Sequence, residues 1–196
     1  MKAVVRELTD PGERRAALPH LAALRIAVFR EWPYLYDGTE DYEAAYLAEF
    51  MAEAESVLVV AEVEGRTVGA ATASPLSGQK AEFQAPFRAR GMDAGHICYF
   101  GESVLLPDYR GQGIGHAFFD AREAAARRAG AGIAAFCAVV RPDGHPLRPP
   151  AARDLHPFWC TRGYEPAEGL TCTFDWKDVD HSDETPHLMQ FWLKRL

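Results

Sequence analysis

The sequence predicts one mixed α/β domain, and three observations predict it. A strand, a glycine-rich turn, an amphipathic helix and a second apolar strand follow one another over residues 97–140. Two alternating strands on either side of Glu64-Gly65 form a hairpin ahead of that unit, and two more strands close the chain after a proline-rich loop. With 196 residues, 48% of them hydrophobic, the chain can build one core and is too apolar for disorder.

The elements follow in order. Ala3 to Leu8 alternates as a first strand. Glu13 to Glu31 has helical spacing through Leu18, Leu21, Leu24, Ala27 and Val28, with Pro19 as a start or a kink. After the break at 32–38, Thr39 caps a second helix with Tyr42, Tyr46 and Phe50 on one stripe. Ser56 to Val63 and Thr67 to Ser74 form the hairpin. Residues 75–95 are punctuated by Pro and Gly, with one short helix over Lys80 to Ala89.

Ile97 to Leu106 is the next strand, and Gly113 to Ala129 a helix burying Ile114, Phe118, Ala121 and Ala125. Ile133 to Val140 is almost wholly apolar, as a central parallel strand should be. A short helix over Leu155 to Arg162 and a turn at 163–166 precede strands at Leu170 to Trp176 and His187 to Leu193. The acidic stretch Lys177 to Glu184 between them is expected to be exposed. The last strand either pairs across a homodimer or finishes the chain's own sheet.

The run Val104-Leu105-Leu106-Pro107-Asp108-Tyr109-Arg110-Gly111-Gln112-Gly113-Ile114-Gly115 carries the chemistry. Glycines allow a tight turn and leave N–H groups open, and the helix that follows adds its dipole. Pyrophosphate is the natural guest. A nucleoside-triphosphate loop needs Gly-Lys-Ser/Thr, whereas Gly113-Ile114-Gly115-His116 stands here. A dinucleotide fingerprint needs a third Gly where His116 stands. Arg110, Gly113 and Gly115 match Arg/Gln-x-x-Gly-x-Gly/Ala. This resembles the acetyl-coenzyme A signature of the GCN5-related N-acetyltransferases, the GNAT superfamily.

The element order β-α-α-β-β-β-α-β-α-β-β is similar to the fold of that superfamily over nearly the whole chain. The resemblance implies a mostly antiparallel seven-stranded sheet with helices on both faces and a central splayed parallel strand pair. It implies acetyl-coenzyme A as co-substrate, held by Leu105, Leu106, Arg110, Gly111, Gln112, Gly113, Ile114, Gly115 and His116. It places a general base on the strand before the cradle. Glu102 is the candidate, because a carboxylate in so apolar a strand is costly unless paired or near water. Strict alternation sets Glu102 opposite Tyr99, Gly101 and Ser103, an assignment that a bulge would change.

Many members carry Phe-Tyr-x-x-x-Gly-Phe near the cofactor sulfur. Here the run is Phe158-Trp159-Cys160-Thr161-Arg162-Gly163-Tyr164, with Trp159 at the usual Tyr position. Indole donates a hydrogen bond but does not titrate as an acid. Tyr164 is carried as a second catalytic candidate, with Cys160, Tyr99 and solvent as alternatives for the leaving thiolate. Trp32, Tyr34 and Tyr36, in the loop that covers the acceptor site in this fold, and His145 are the expected acceptor contacts.

The reading is a transferase that acetylates a primary amine, on a small molecule or a peptide, by direct attack. The alternative at this stage is an acyl-coenzyme A-binding module with little catalysis. A net charge of −7 disfavours nucleic acid, and Arg122, Arg127 and Arg128 read as one solvated helix face. No apolar run approaches a membrane span, and the charged N-terminus does not suit a signal peptide. A cytoplasmic protein is expected. Cys98, Cys137, Cys160 and Cys172 lack CxxC spacing, and His156, His181 and His187 lack ligand spacing, so no metal is expected.

Overall fold

The computed structural model describes residues 2–53 and 55–196. The strands are β1 (Val4–Glu7), β2 (Val57–Val63), β3 (Arg66–Pro75), β4 (Ile97–Leu105), β5 (Ile133–Val139), β6 (Glu165–Lys177) and β7 (Glu184–Arg195). The helices are α1 (Pro11–Phe29), α2 (Glu40–Ala52), α3 (Ala81–Ala89), α4 (Ile114–Arg128) and α5 (His156–Thr161). One seven-stranded sheet has the order β1-β2-β3-β4-β5-β7-β6. β4 and β5 run parallel, and the other neighbours are antiparallel. Among the described residues, no helix is long and apolar enough to cross a membrane.

Helices cover both faces. Leu21 and Leu24 of α1 and Leu47 of α2 pack on Leu58, Val60 and Val104. On the opposite face, Ile114 and Phe118 of α4 pack on Val59, Val68 and Ala71. α1 starts two residues before the expected Glu13. Asp10 accepts the Glu13 N–H at 2.8 Å, and Pro11 suits a first turn with no internal acceptor. Pro19 lies on the exposed side within α1 and does not end it.

The stripe expected on α2 is shifted. Glu43 and Leu47 are buried, whereas Tyr42 is 51% exposed. A glutamate can occupy that face because Arg25 neutralises it there. Asp178 likewise breaks the expected exposed stretch, being buried against Arg141. β6 begins before the expected Leu170, and its register slips between Pro166 and Thr171, which masks the alternation. β7 pairs with both β5 and β6, so the last strand finishes the chain's own sheet.

Two irregularities in β4 position the site. Its parallel ladder with β5 runs from Ile97↔Ile133 to Tyr99↔Ala135. Beyond that point, β4 stays on β3 while β5 stays on β7, and the two strands part into an open V. The second irregularity is a bulge. Ala71 faces Ser103 and Ala73 faces Phe100, so Thr72 alone opposes Gly101 and Glu102. Before the bulge, Cys98 and Phe100 face α4; after it, Val104 joins the α1–α2 core. The extra residue therefore puts Glu102 on the same face as Tyr99, against strict alternation. A Cβ at position 101 would come within 2.6 Å of Thr72 Oγ1, which is why the bulge holds glycine.

Arg122 of α4 secures the bulge. It is 1% exposed rather than part of a solvated face. Its Nη1 donates to Thr72 O at 3.3 Å and Glu102 O at 3.2 Å, and its Nη2 donates to Ser103 Oγ at 2.7 Å. The guanidinium lies over the rings of Phe100 and Phe119. Burial pushes it down to about 10. Arg122→Ala would strand two carbonyls and open a void. We expect a loss of about 2–4 kcal/mol in chemical denaturation, and a change below about 1 kcal/mol would refute the clamp.

Candidate active site

The cradle is built from one continuous stretch. β4 ends at Leu105, a 3-10 turn spans Pro107–Tyr109, and α4 starts at Ile114. Gly111 and Gly113 have φ of 75° and 84°, and a Cβ on either would meet nothing within 4 Å. Glycine is required there by conformation, and the space above the turn is open. The first turn of α4, with Gly115 and His116, presents N–H groups that have no intrahelical acceptor, and it carries no acidic side chain. The ladder resumes with Ala117 N–H on Gly113 O at 3.1 Å.

Arg110 braces this loop. Its Nε donates to Leu105 O at 3.1 Å, and its Nη1 sits 2.9 Å from Glu31 Oε2. Gln112 Nε2 donates to Asp108 O at 3.0 Å, so its side chain is used within the turn. Leu105 lies opposite Gly69, and Leu106 N–H bonds Val68 O, which ties this end of the strand to β3. Its other edge lines the open V.

A cavity of about 90 Å³ lies at the V. Tyr99, Gly101 and Glu102 of β4 line it together with Cys137 of β5. Arg25 of α1, Tyr46 of α2 and Tyr34 close one side. Phe83 of α3, Phe174 of β6 and Met189 of β7 close the other. Glu102 is 4% exposed. Its Oε2 lies 2.6 Å from Arg25 Nη1 and accepts from Tyr46 OH at 3.4 Å. Arg25 Nε reaches Glu43 Oε2 at 2.5 Å, so one guanidinium serves two buried carboxylates. The Oε1 atoms of Glu43 and Glu102 are buried without a hydrogen-bond partner among the described residues.

Burial alone would lower the Arg25 guanidinium; Glu102, Tyr46 and Glu43 together raise it above its ordinary value. Burial, reinforced by the Glu102 charge, raises the Tyr46 phenol. Burial also raises Tyr34 and Tyr99. Three phenols on the cavity therefore stay protonated at neutral pH. Tyr99 OH lies 3.1 Å from Cys137 Sγ.

The other expected contacts divide. Tyr34 lines the cavity. Trp32 packs on His145 with ring centroids 5.2 Å apart, and neither lines the cavity. Burial and the neighbouring Glu43 raise the Tyr36 phenol, which turns towards Glu43 rather than the cavity. The backbone of this loop is held from behind. Arg141 donates to Pro33 O and Tyr34 O and pairs with Asp178 at 2.7 and 2.8 Å. Trp176 Nε1 donates to Tyr34 O and to Asp178 Oδ1.

Tyr164 lies elsewhere. It is fully buried beneath α4, and its OH donates to Glu123 Oε1 at 3.2 Å. Phe119 and Phe136 surround it. The structure does not bring it to Glu102. Trp159 packs on Phe136 and Trp192. Cys160 is exposed, and the other three cysteines are buried. Asp178, Asp180 and His181 bring potential ligand atoms within 4.8 Å of one another. The Asp178 carboxylate in that group is already engaged by Arg141.

Sequence reasoning missed Arg25, Glu43, Tyr46 and Arg122. A signal exists for the cations. Arg25 falls in phase with Leu21, Leu24 and Val28, and Arg122 with Phe118 and Ala125. A charge at an apolar helical phase marks a buried partner.

A model of the acetyltransferase (GNAT) family matches residues 21–149. Among solved structures, the ribosomal-protein-alanine N-acetyltransferase of Brucella melitensis is 17% identical, with 98% of this chain and 99% of that one covered and a TM-score of 0.63. The yncA structure of Salmonella typhimurium, with its cofactor acetyl-CoA, is 14% identical, covering 100% and 95%, with a TM-score of 0.60. An aminoglycoside 6'-N-acetyltransferase complexed with coenzyme A is 16% identical, covering 98% and 96%, with a TM-score of 0.59. Identities this low speak for the fold alone. No curated protein matches the chain in sequence.

The anchor behind the loop has a pH signature. Burial would raise the Asp178 carboxyl, but Arg141 outweighs it and holds the group below its ordinary value. Its stabilisation is present above about pH 4 and is lost as pH falls through the depressed folded value. Asp178→Asn should cost about 2 kcal/mol at pH 7, with the gap to wild type closing towards pH 3. Denaturation curves at both pH values check this; a gap that does not narrow would exclude the assignment.

Proposed function

This chain belongs to the acetyltransferase (GNAT) family, and from that premise we propose that it transfers the acetyl group of acetyl-coenzyme A to a primary amine by direct attack. One observation carries the reading. Glu102, with an unpartnered buried oxygen, faces a cavity at the V whose β4 arm ends in the anion cradle. The cradle fits a pyrophosphate: the turn above Gly111 and Gly113 is open, and the helix start behind it carries no acid.

Bound acetyl-coenzyme A supplies the activated acyl thioester. The N–H groups from Gly111 to His116 hold the pyrophosphate, Arg110 keeps the loop in shape, and the free edge near Leu105 and Leu106 faces the extended arm. Glu102 accepts a proton from the acceptor nitrogen. Arg25 fixes the opposite oxygen. The nitrogen lone pair then forms the C–N bond as the C–S bond breaks. Tyr99, the candidate for the leaving thiolate that shares the cavity with Glu102, protonates the sulfur, and the second proton of the acylated nitrogen returns to the Tyr99 oxygen, leaving a neutral amide and a free thiol. The aromatic walls exclude water and limit thioester hydrolysis.

Calorimetry of acetyl-coenzyme A with wild type and Gly113→Asp tests the cradle. The variant adds a carboxylate and strains a left-handed residue, so binding should weaken at least about 100-fold. Equal binding would sink the assignment. Glu102→Gln should keep that affinity and lower kcat on an amine by about 10²–10³, consistent with losing a general base. Binding without turnover on any amine would instead favour an acyl-coenzyme A-binding module.

A further inference from the structure

Resting on the acetyl-transfer reading above, we propose that the acceptor is a primary monoamine carried on a short apolar or aromatic body, not a polyamine or an amino sugar. One carboxylate lines the cavity, that of Glu102, which is 4% exposed and whose Oε1 has no hydrogen-bond partner among the described residues. An acceptor ammonium pairs with that carboxylate, and nothing else charged in the lining invites a second one. The other charged group in its lining is Arg25, a cation that repels an additional ammonium. Glu43, the second buried carboxylate, does not line the cavity.

The side of the cavity away from Arg25 is largely apolar. Phe83 packs at a tilt on Phe174 with centroids 4.2 Å apart and on Tyr99 at 4.9 Å, and Met189 lines the same cavity. Phe83, Phe174 and Met189 receive a hydrocarbon body and offer no hydrogen-bond partner, so a sugar hydroxyl brought against them loses its water unpaired. A volume of about 90 Å³ takes a branched alkyl or a single aryl group. The carboxylate selects the nitrogen, and the walls select what it is attached to.

Release of the coenzyme A thiol is measured with the full chain and a matched panel. Butylamine against 1,4-diaminobutane isolates the second ammonium, and ethylamine against 3-methylbutylamine isolates the body. 2-Phenylethylamine, spermidine and kanamycin complete the panel. We expect kcat/KM for butylamine to exceed that for 1,4-diaminobutane at least about tenfold. It should rise about fourfold per buried methylene up to 3-methylbutylamine. Phe174→Ala should raise KM for 2-phenylethylamine about tenfold without changing acetyl-coenzyme A affinity by calorimetry.

Preference for 1,4-diaminobutane, spermidine or kanamycin overturns the inference, as does no discrimination across the panel. Tight acetyl-coenzyme A binding with no turnover of any monoamine also overturns it. Loss of acetyl-coenzyme A binding by folded wild type would instead bring down acetyl transfer itself, and the two failures are separated by the calorimetric arm.

Discussion

Arg122 donates hydrogen bonds to the carbonyls of Thr72 and Glu102 across the one place where β3 and β4 lose register. A bulge leaves backbone groups without their ladder partners, and a buried one needs donors from elsewhere. Arg122 supplies them from the helix that also begins at the anion cradle. The consequence runs through the sheet. Tyr99 and Glu102 come to share a face, Val104 turns into the α1–α2 core, and a carboxylate otherwise directed beneath α4 opens onto the cavity instead. Cradle and carboxylate are thus set relative to each other by one helix and one strand.

On the far side, Arg25 does for charge what Arg122 does for backbone. It joins α1 to α2 through Glu43 and to β4 through Glu102. Pairs this deeply buried contribute little net stability, because desolvation offsets attraction, but removing one member is costly. Their value here is positional. The guanidinium also lies over the Tyr46 ring at 4.2 Å, so the side chain is confined from several directions. A carboxylate fixed through one oxygen by a rigid partner presents the other in a defined direction.

The glycine-rich turn was legible in the sequence because its residues are contiguous. Gly111 and Gly113 need left-handed backbone, the turn and helix start are contiguous, and eight neighbouring positions from Leu106 to Gly113 lead into the first helical turn. The strand order was legible for the same reason, through alternation and turns. The cavity was not. Its members come from α1, α2, α3, β4, β5, β6 and β7, which meet only after folding. Alternation gave the wrong side for Glu102 relative to Tyr99 because a bulge is invisible to a period-two pattern. Tyr164 lies away from the cavity for a further reason: the Phe158–Tyr164 run fills space under α4, and the Tyr164 hydroxyl serves Glu123. Three arginines on one helix resemble a surface, which conceals Arg122 although its phase matches Phe118 and Ala125.

The hairpin of β6 and β7 lies outside the stretch that matches the family model, yet it contributes Phe174 and Met189 to the cavity. The link preceding β7 carries Asp178, which with Arg141 holds the backbone of Pro33 and Tyr34. The glycine-rich turn and helix start form a short continuous segment, whereas the cavity wall draws on a late hairpin and the early loop it grips. A change in that hairpin can alter both wall and loop together while leaving the glycine-rich segment untouched. Turn and cavity wall thus lie on stretches of chain that can change independently.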